Sequence, residues 1–550
     1  MCEETSAMET ILSSDDVKGV NKTLSTGSPY RPPHFRYLVP KSSKYTVVLE
    51  RTSIMNANGR WKNVRRAFYR FLNYLPVGAE VSIITFGKEA AMNLPPTVVT
   101  DANREGLHGR IPRKVLADDL ACVFCALNMS LGALSRSGDD LGTVILLTGS
   151  PREAQNMDKL METVNRTPVR VFPIAYPGTA HPSLVGLARH GKHYAVSEGN
   201  SASNPLIYLT EVLLDILRKS EPGTAIQKVH ETRHLSYEFA GTFTLDESML
   251  DGMSVTLNVD DEDKVEFFEI TNPSGKKHLF SKFEDGMVVF EHRGAAEAGI
   301  WTYHSKLYPT AGLPAERMTV DVVSHGTPRV PSQLKSDSSS PVMLDVFSNV
   351  DGAEVDLYQR PVIIYARLTQ GDSLPVLGAR VVVRVMRPGG SDGEDDNNAD
   401  GDTIELTMRD DGAGDPDVTG DDGIYSVHFS DFASVPGFYS VQVVAGHNDG
   451  LARTARTAGE SEVCCGSRVR LRETIPATPF HRQAVGPGFY VKQGLSPRTD
   501  IAPPSRIFDF RLARAIEASL YVQLEWSSPG GDYDQGKGKG TLVFPAHVRI

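Results

Sequence analysis

The sequence predicts a multidomain chain, an α/β doubly wound domain followed by all-β sandwich domains. Two patterns carry this. From about Tyr45 to Ser220, short apolar runs alternate with amphipathic segments, as in a mostly parallel sheet covered by helices on both faces. From about Ala225 onward helical periodicity is nearly lost, and strand-like runs are separated by Gly, Pro and Asp turns, as in β-sandwiches. A length of 550 residues corresponds to roughly three or four domains.

In the first domain, 45–220, "YTVVLE" reads as a buried strand. The next segment, "RWKNVRRAFYRFLNYL", places Val64, Phe68, Phe71 and Leu72 at helical spacing. "EVSIITFG" is a strand, "LACVFCALNMSLGALSR" a helix, "GTVILLTGS" a strand, "EAQNMDKLMETVNR" a helix and "VRVFPIAY" a strand. "PSLVGLARHG" reads as a helix, "KHYAVS" as a strand and "PLIYLTEVLLDILRK" as the last helix. A first sandwich spans 225–326, with "MSVTLNV", "VEFFEIT", "MVVFEH" and "MTVDVVS". A linker by composition, "TPRVPSQLKSDSSSP", covers 327–341. An Ig-like sandwich at 342–450 contains "PVIIYARLT", "ARVVVRVM", "TIELTM", "IYSVHF" and "FYSVQVVA", interrupted by the Gly/Asp loop "GGSDGEDDNNADGD". Residues 451–505, rich in Pro, Gly and Arg, read as an irregular linker. The segment 506–550 holds two strands, with Trp526 as a core residue, and stops short of a complete module.

Composition excludes several classes. The formal net charge of −11 is no footprint for nucleic acid. No run of about 18 apolar residues is present to span a membrane. The acidic start, "MCEETSAMETILSSDDV", lacks the apolar core of a signal peptide. Five cysteines are too few for a disulfide scaffold. Cys122 and Cys125 form a C-x-x-C pair, a redox or metal motif in other contexts; here the apolar surroundings favour buried helix cysteines. Cys464 and Cys465 have no evident partner. Asn21, Asn128 and Asn165 begin glycosylation sequons, which matter in a secreted chain.

One motif suggests an enzyme. His230-Glu231-Thr232-Arg233-His234 spells H-E-x-x-H, which on a helix binds zinc through two histidines and uses the glutamate as a base. Helical i and i+4 positions lie about 6 Å apart on one face. Here Val229, Leu235, Tyr237 and Phe239 alternate as in a strand, where the two Cα atoms would be ~13 Å apart. No third ligand follows at a defined spacing. The expectation is a strand, with no zinc.

"YTVVLERTSIM" resembles the first strand and metal loop of a von Willebrand factor A (VWA) domain. That family holds Mg²⁺ on a D-x-S-x-S loop, a Thr from a second loop and an Asp after the fourth strand, and a ligand carboxylate completes the shell. In this chain Glu50 stands at the first Asp position, Thr52 at the first Ser and Ile54 at the second Ser. The Thr position falls near Ala121, with Asp118 and Asp119 close by, and the last Asp position is Gly149. The resemblance therefore implies a VWA fold with a degenerate site for Mg²⁺ or Ca²⁺. Either Glu50 is simply a polar strand end, or Glu50 and Thr52 act with Asp118 or Asp119.

Further along, "PVLGARVVV", "LTMRDDGAGDPDVTGDDGIYSVHFSDF" and "GFYSVQVVAGH" resemble the calcium-activated chloride channel regulator (CLCA) family. "APPSRIFDFRL" and "VQLEWSSPGGDYDQG" resemble the start of that family's fibronectin type III-like module. The resemblance implies a non-catalytic regulator of calcium-activated chloride conductance, secreted or on the cell surface. Its partner would be a membrane chloride channel of the anoctamin type or another surface protein, engaged through the VWA domain. It also implies that the family's N-terminal zinc-peptidase domain is missing, with residues 1–44 its remnant tail. The alternatives are a metallopeptidase or self-cleaving hydrolase, and a generic VWA adhesion protein. In the acidic turn, Asp411, Asp415, Asp417 and Asp421 lie among glycines that permit tight turns. They form either a solvated hairpin or a weak Ca²⁺ site, since Ca²⁺ takes six to eight oxygens.

Overall fold

Lys44–Glu50, seven consecutive buried residues, form β1, a central strand of the first sheet in the computed structural model. The structure describes residues 43–534 apart from 136–141, 153–155, 179, 189–190, 197, 199–203, 222–223, 260–261, 284–286, 309–317, 327–339, 351–353, 358–360, 372–373, 389–402, 458–466, 470, 496–501, 508–509, 517–520 and 528. Most of the linker at 327–341, the Gly/Asp loop, Cys2, Cys464, Cys465 and all but the last two residues of the 1–44 tail lie outside the described residues.

β1 pairs in parallel with β2 (Glu80–Phe86) on one side and β4 (Gly142–Thr148) on the other. β5 (Arg170–Ala175) and β6 (Tyr194–Ala195) extend the parallel order, and β3 (Ala90–Val98) closes the opposite edge antiparallel. The order β3-β2-β1-β4-β5-β6 reverses direction between β1 and β4, the point where doubly wound sheets meet ligands. Strand residues alternate between two cores. Val47 and Leu49 face α1 (Arg60–Tyr74) and α4 (Pro205–Ser220), while Val48 faces α2 (Val123–Ser135) and α3 (Met157–Asn165). Sheets covered on both faces require such continuous apolar strands. α4 starts where Asn204 accepts the Leu206 amide at 3.0 Å and Pro205 occupies the first turn, a favoured start for a helix.

The structure differs from the sequence reading in two places here. Residues 182–187 form a 3₁₀ turn rather than a helix. Gly191, the last residue of the expected helix, lies so near the backbone that a Cβ there would meet the Val171 carbonyl at 2.3 Å; the chain must hug β5 instead of standing off as a helix. β3 has no counterpart in the sequence reading. Pro95 and Pro96 argue against a strand, but on a sheet edge their missing N–H groups cost nothing.

The first sandwich stacks two sheets. One contains β8 (Glu238–Leu245), β10 (Val265–Thr271) and β12 (Gly299–Leu307). The other contains β7 (Ile226–His234), β9 (Asp251–Asn258), β11 (Met287–Ala295) and β13 (Met318–His325). Trp301, Tyr303, Phe243 and Phe268 fill the space between them. The second sandwich begins with β14 (Val342–Ser348), β15 (Val362–Gln370), β16 (Leu374–Leu377), β17 (Arg380–Met386) and β18 (Thr403–Met408). It continues with β19 (Ile424–Phe429), β20 (Gly437–Gly446), β21 (Arg453–Thr457), β22 (Leu471–Pro476) and β23 (His481–Val491). The last three overturn the reading of 451–505 as irregular. β23 pairs along the whole of β20 and touches β7 through Gln483 opposite Lys228, so one sheet runs through both sandwiches. Its Pro and Gly content suggests a loop, yet a Cβ on Gly486 would meet Val346 at 2.7 Å and one on Gly488 the Tyr439 carbonyl at 2.8 Å. Small residues are what this close packing demands.

A final hairpin pairs β24 (Arg511–Ile516) with β25 (Tyr521–Glu525). Trp526 is 47% exposed beside Phe510, not a core residue: among the described residues the hairpin has no second layer to bury it against.

The units are joined by buried polar contacts. Arg70 of α1 reaches Asp321 of β13 at 2.7 and 3.2 Å. Lys228 of β7 pairs with Glu211 of α4. Arg482 of β23 bonds Asp246 at 2.7 Å. Tyr208 Oη of α4 donates to the Val441 carbonyl at 3.1 Å, and Ser440 Oγ to the Ala195 carbonyl at 2.6 Å. Met386 and Val485 of the second sandwich belong to the same apolar core as α1 and α4.

Candidate functional site at the end of the α/β sheet

Glu50 ends β1 at the switch point and is 1% exposed. Its carboxylate is filled by the protein's own donors. Oε2 accepts from Thr148 Oγ1 at 2.5 Å, the Gly149 amide at 2.8 Å and the Ser150 amide at 3.1 Å, while Oε1 accepts from Thr52 Oγ1. The extra methylene of glutamate lets the carboxylate reach across to the end of β4. At the other metal-family positions, Ile54 packs its side chain on the core below. Gly149 has no room for an aspartate, because a Cβ would lie 2.4 Å from the Tyr176 carbonyl.

Asp118 and Asp119 are held to the same rim but by a different residue. The Ser53 amide donates to the Asp118 carbonyl at 2.8 Å and Ser53 Oγ to the Asp119 carboxylate. Asp118 Oδ2 accepts the Lys88 amide at 3.3 Å. The rim thus splits into two pairs, Glu50 with Thr52 and Asp119 with Ser53. Among the described residues, no three His, Cys, Asp or Glu side chains are grouped to hold an ion. Two oxygens already engaged, an aliphatic residue and a glycine do not fit the oxygen shell of Mg²⁺.

Sequence reasoning missed the rest of this face. Arg60, at the start of α1, grips Glu198 through Nε at 2.7 Å and Nη2 at 2.6 Å, and its Nη1 donates to the Ile54 carbonyl at 2.6 Å. This fork fixes the loop after β1 to the segment after β6. Thr148 and the Ser150 amide were legible only as "LLTGS", a strand end with donors.

The H-E-x-x-H residues lie on β7, as the alternation predicts. His230, Thr232 and His234 face the sandwich interior. His230 Nε2 lies 3.4 Å and His234 Nε2 3.0 Å from Tyr303 Oη, and Thr232 Oγ1 lies 3.0 Å from His230 Nε2. Glu231 projects from the other face to pair with Lys228. A base on the opposite side of the sheet cannot serve a metal held by the two histidines. Burial pushes the His230 imidazole down to about 4 and also lowers His234, so both are neutral partners for the buried phenol.

In the acidic turn the carboxylates bind backbone amides. Asp417 Oδ2 accepts from Asp411 N at 2.5 Å and Gly412 N at 2.7 Å. Asp411 Oδ1 accepts from Ala413 N at 3.0 Å. Asp410 accepts from the Asp422 and Gly423 amides at 3.2 and 3.0 Å. Asp415 points toward His428, 3.9 Å away, and Asp421 takes a positive φ of 63°. Burial, helped by Asp422 and Asp417, pushes Asp410 up to about 8; burial pushes Asp417 up to about 6.

The α/β topology with Glu50 at its switch point, followed by sandwiches, defines a VWA-type domain joined to β modules. No family model matches the chain. It is 24% identical to "Calcium-activated chloride channel regulator 1" of Bos taurus over 99% of its residues and 59% of that protein. It is 24% identical to "Calcium-activated chloride channel regulator 2" of Mus musculus over 98% of its residues and 56% of that protein. The human regulator 2 gives 23%, 98% and 56%. The chain is thus similar along nearly its whole length to calcium-activated chloride channel regulators, and it spans less than two-thirds of the length of these curated relatives. Among solved structures, a von Willebrand factor type A protein from Catenulispora acidiphila overlaps 60% of this chain and 63% of its own at 9% identity with a TM-score of 0.29, an overlap too slight to bear on function.

Proposed function

We propose that the chain is a non-catalytic regulator of calcium-activated chloride conductance, acting outside the cell or at its surface through contact between its VWA domain and a membrane chloride channel of the anoctamin type. The observation that carries this reading is the match to chloride channel regulators over 98–99% of the chain. The site geometry supports contact without a bridging metal: Glu50 is internally satisfied, while Asp119 and Leu120 are exposed on the same rim. The placement of Glu231 on the face of β7 away from His230 and His234 supports a role other than peptidase.

The test is whole-cell recording from cells that express such a channel, with purified chain applied outside. Calcium-activated chloride current rises with the wild-type chain and rises less with Asp119→Lys/Leu120→Asp. No rise with folded wild-type chain rejects the proposal; an equal rise with the double variant rejects the assigned face.

A further inference from the structure

We propose that Cys122 and Cys125 form an exchangeable disulfide on the rim of the α/β domain, whose substrate is a thiol or disulfide of a second molecule. This stands apart from the channel reading, because it rests on the chemistry of the pair alone. The two sulfurs are bonded across three residues, which replaces the expectation of two buried helix cysteines. The pairing follows from where α2 begins. Cys122 immediately precedes the helix, and its carbonyl accepts the first helical bond, from Ala126 at 3.2 Å. Cys125, one turn on, comes round to the same side.

Three observations point to exchange. First, the Cys125 amide donates to Cys122 Sγ at 3.2 Å. An amide at a 13-residue helix's N-terminus stabilises a thiolate on the sulfur it faces. Second, both cysteines are half-buried, whereas Val123 between them and Ala126 after them are buried; the apolar residues anchor the turn and leave the sulfurs at the surface of the core. Third, the pair lies on the same rim as Asp118, since the Cys122 amide donates to the Gly87 carbonyl at 2.7 Å and Gly87 packs against Asp118. An incoming macromolecule at the sheet end would meet it.

The amide assigns the roles. In the reduced form Cys122 is the better thiolate and attacks; Cys125 resolves. Cys122 S⁻ attacks a disulfide R–S–S–R′, forming Cys122–S–S–R and releasing R′S⁻. Cys125, deprotonated with its proton passing to R′S⁻, attacks the Cys122 sulfur and releases RS⁻. The protein dithiol is oxidised by two electrons and one external disulfide becomes two thiols. The reverse direction consumes two external thiols.

The experiment equilibrates the full chain in glutathione buffers of graded reduced-to-oxidised ratio, then acid-quenches, alkylates and reads the peptide containing residues 122 and 125 by mass spectrometry. Circular dichroism checks folding at each ratio. The wild-type pair should pass reversibly from disulfide to dithiol within the series with the fold intact. Mixed with oxidised glutathione and quenched at early times, Cys125→Ser should gain glutathione on Cys122 about threefold faster than Cys122→Ser gains it on Cys125, since one unit of thiol acidity raises the thiolate fraction but lowers its nucleophilicity. A pair that stays oxidised throughout, or that reduces only as the chain unfolds, makes it a structural clasp and overturns the proposal. Equal rates on the two single variants, or a faster Cys125, overturn the assignment of Cys122 as the attacking sulfur.

Discussion

Replacing Glu50 tests whether its carboxylate is a structural acceptor or a metal ligand. In Glu50→Ala the buried amide of Gly149 loses its acceptor and the half-buried Ser150 amide is left with Thr148 Oγ1 at 3.3 Å, and a stranded amide costs about 1–3 kcal/mol. The hydroxyls of Thr52 and Thr148 can rotate to new partners, so the expected loss is about 3–5 kcal/mol once the vacated space is included. Glu50→Gln keeps an oxygen for the three donors at Oε2 and turns its NH₂ toward Thr52, whose hydroxyl can accept. Only the charge assistance is lost, about 1–3 kcal/mol. Glu50→Asp restores the residue of the metal-binding pattern but cannot span to β4, and should fall near the alanine variant. Urea denaturation of the four proteins gives the series. Adding Mg²⁺ is the second arm: a micromolar site in millimolar Mg²⁺ would stabilise the folded chain by about 4 kcal/mol, against no change for a carboxylate already occupied. A loss below about 1 kcal/mol in the alanine variant, or a Mg²⁺ gain of that size, would refute the reasoning.

Other outcomes follow from the junctions and the buried ionisable groups. Arg70→Ala leaves the Asp321 carboxylate, 1% exposed in its side chain, with one remaining donor among the described residues, Asn258 at 2.8 Å. It should cost about 3–5 kcal/mol, while Arg70→Met with Asp321→Leu recovers most of it; denaturant midpoints decide. Stability should peak near pH 6 to 6.5. From pH 8 downward the folded chain binds a proton on Asp410, held near 8 against 3.8 unfolded, so stability rises, by about half the 1.4 kcal/mol per unit of a full proton difference or less. Below 6.5 the unfolded chain protonates His193, His230 and His325 first, all held near 4 by burial. Three histidines then outweigh Asp410 and Asp417, and stability falls; thermal melts across pH with Asp410→Asn, which removes the alkaline slope, check this. Finally, His230→Ala and His234→Ala should each lose about 1–2 kcal/mol as Tyr303 loses a hydrogen-bond partner, with no change in bound zinc by elemental analysis; stoichiometric zinc that disappears in His230→Ala would overturn the strand reading.

The α/β domain was legible because its strands are apolar on both faces and its helices carry apolar residues at helical spacing, as Val64, Phe68 and Phe71 do. The H-E-x-x-H segment was legible for the same reason, its alternation outranking its motif. What failed to show was set by contacts between distant residues. Thr148 and Gly149 fill Glu50 from about a hundred residues away, and no local pattern announces that. β23 reads locally as a loop because Gly486 and Gly488 must pass close to Val346 and Tyr439. Trp526 reads as core because it is large and apolar, but burial needs an opposing layer.

The junctions between the units have a practical consequence. A fragment ending at Ser220 would strip Tyr208 of its Val441 partner, take Lys228 and Gln442 from Glu211, and bare the apolar patch that Met386 and Val485 cover. Domain borders drawn from sequence are therefore poor places to cut. A probe anchored on β20 would report the direction in which the Glu50 rim faces, since the ion pairs and the shared sheet leave no free swivel between them.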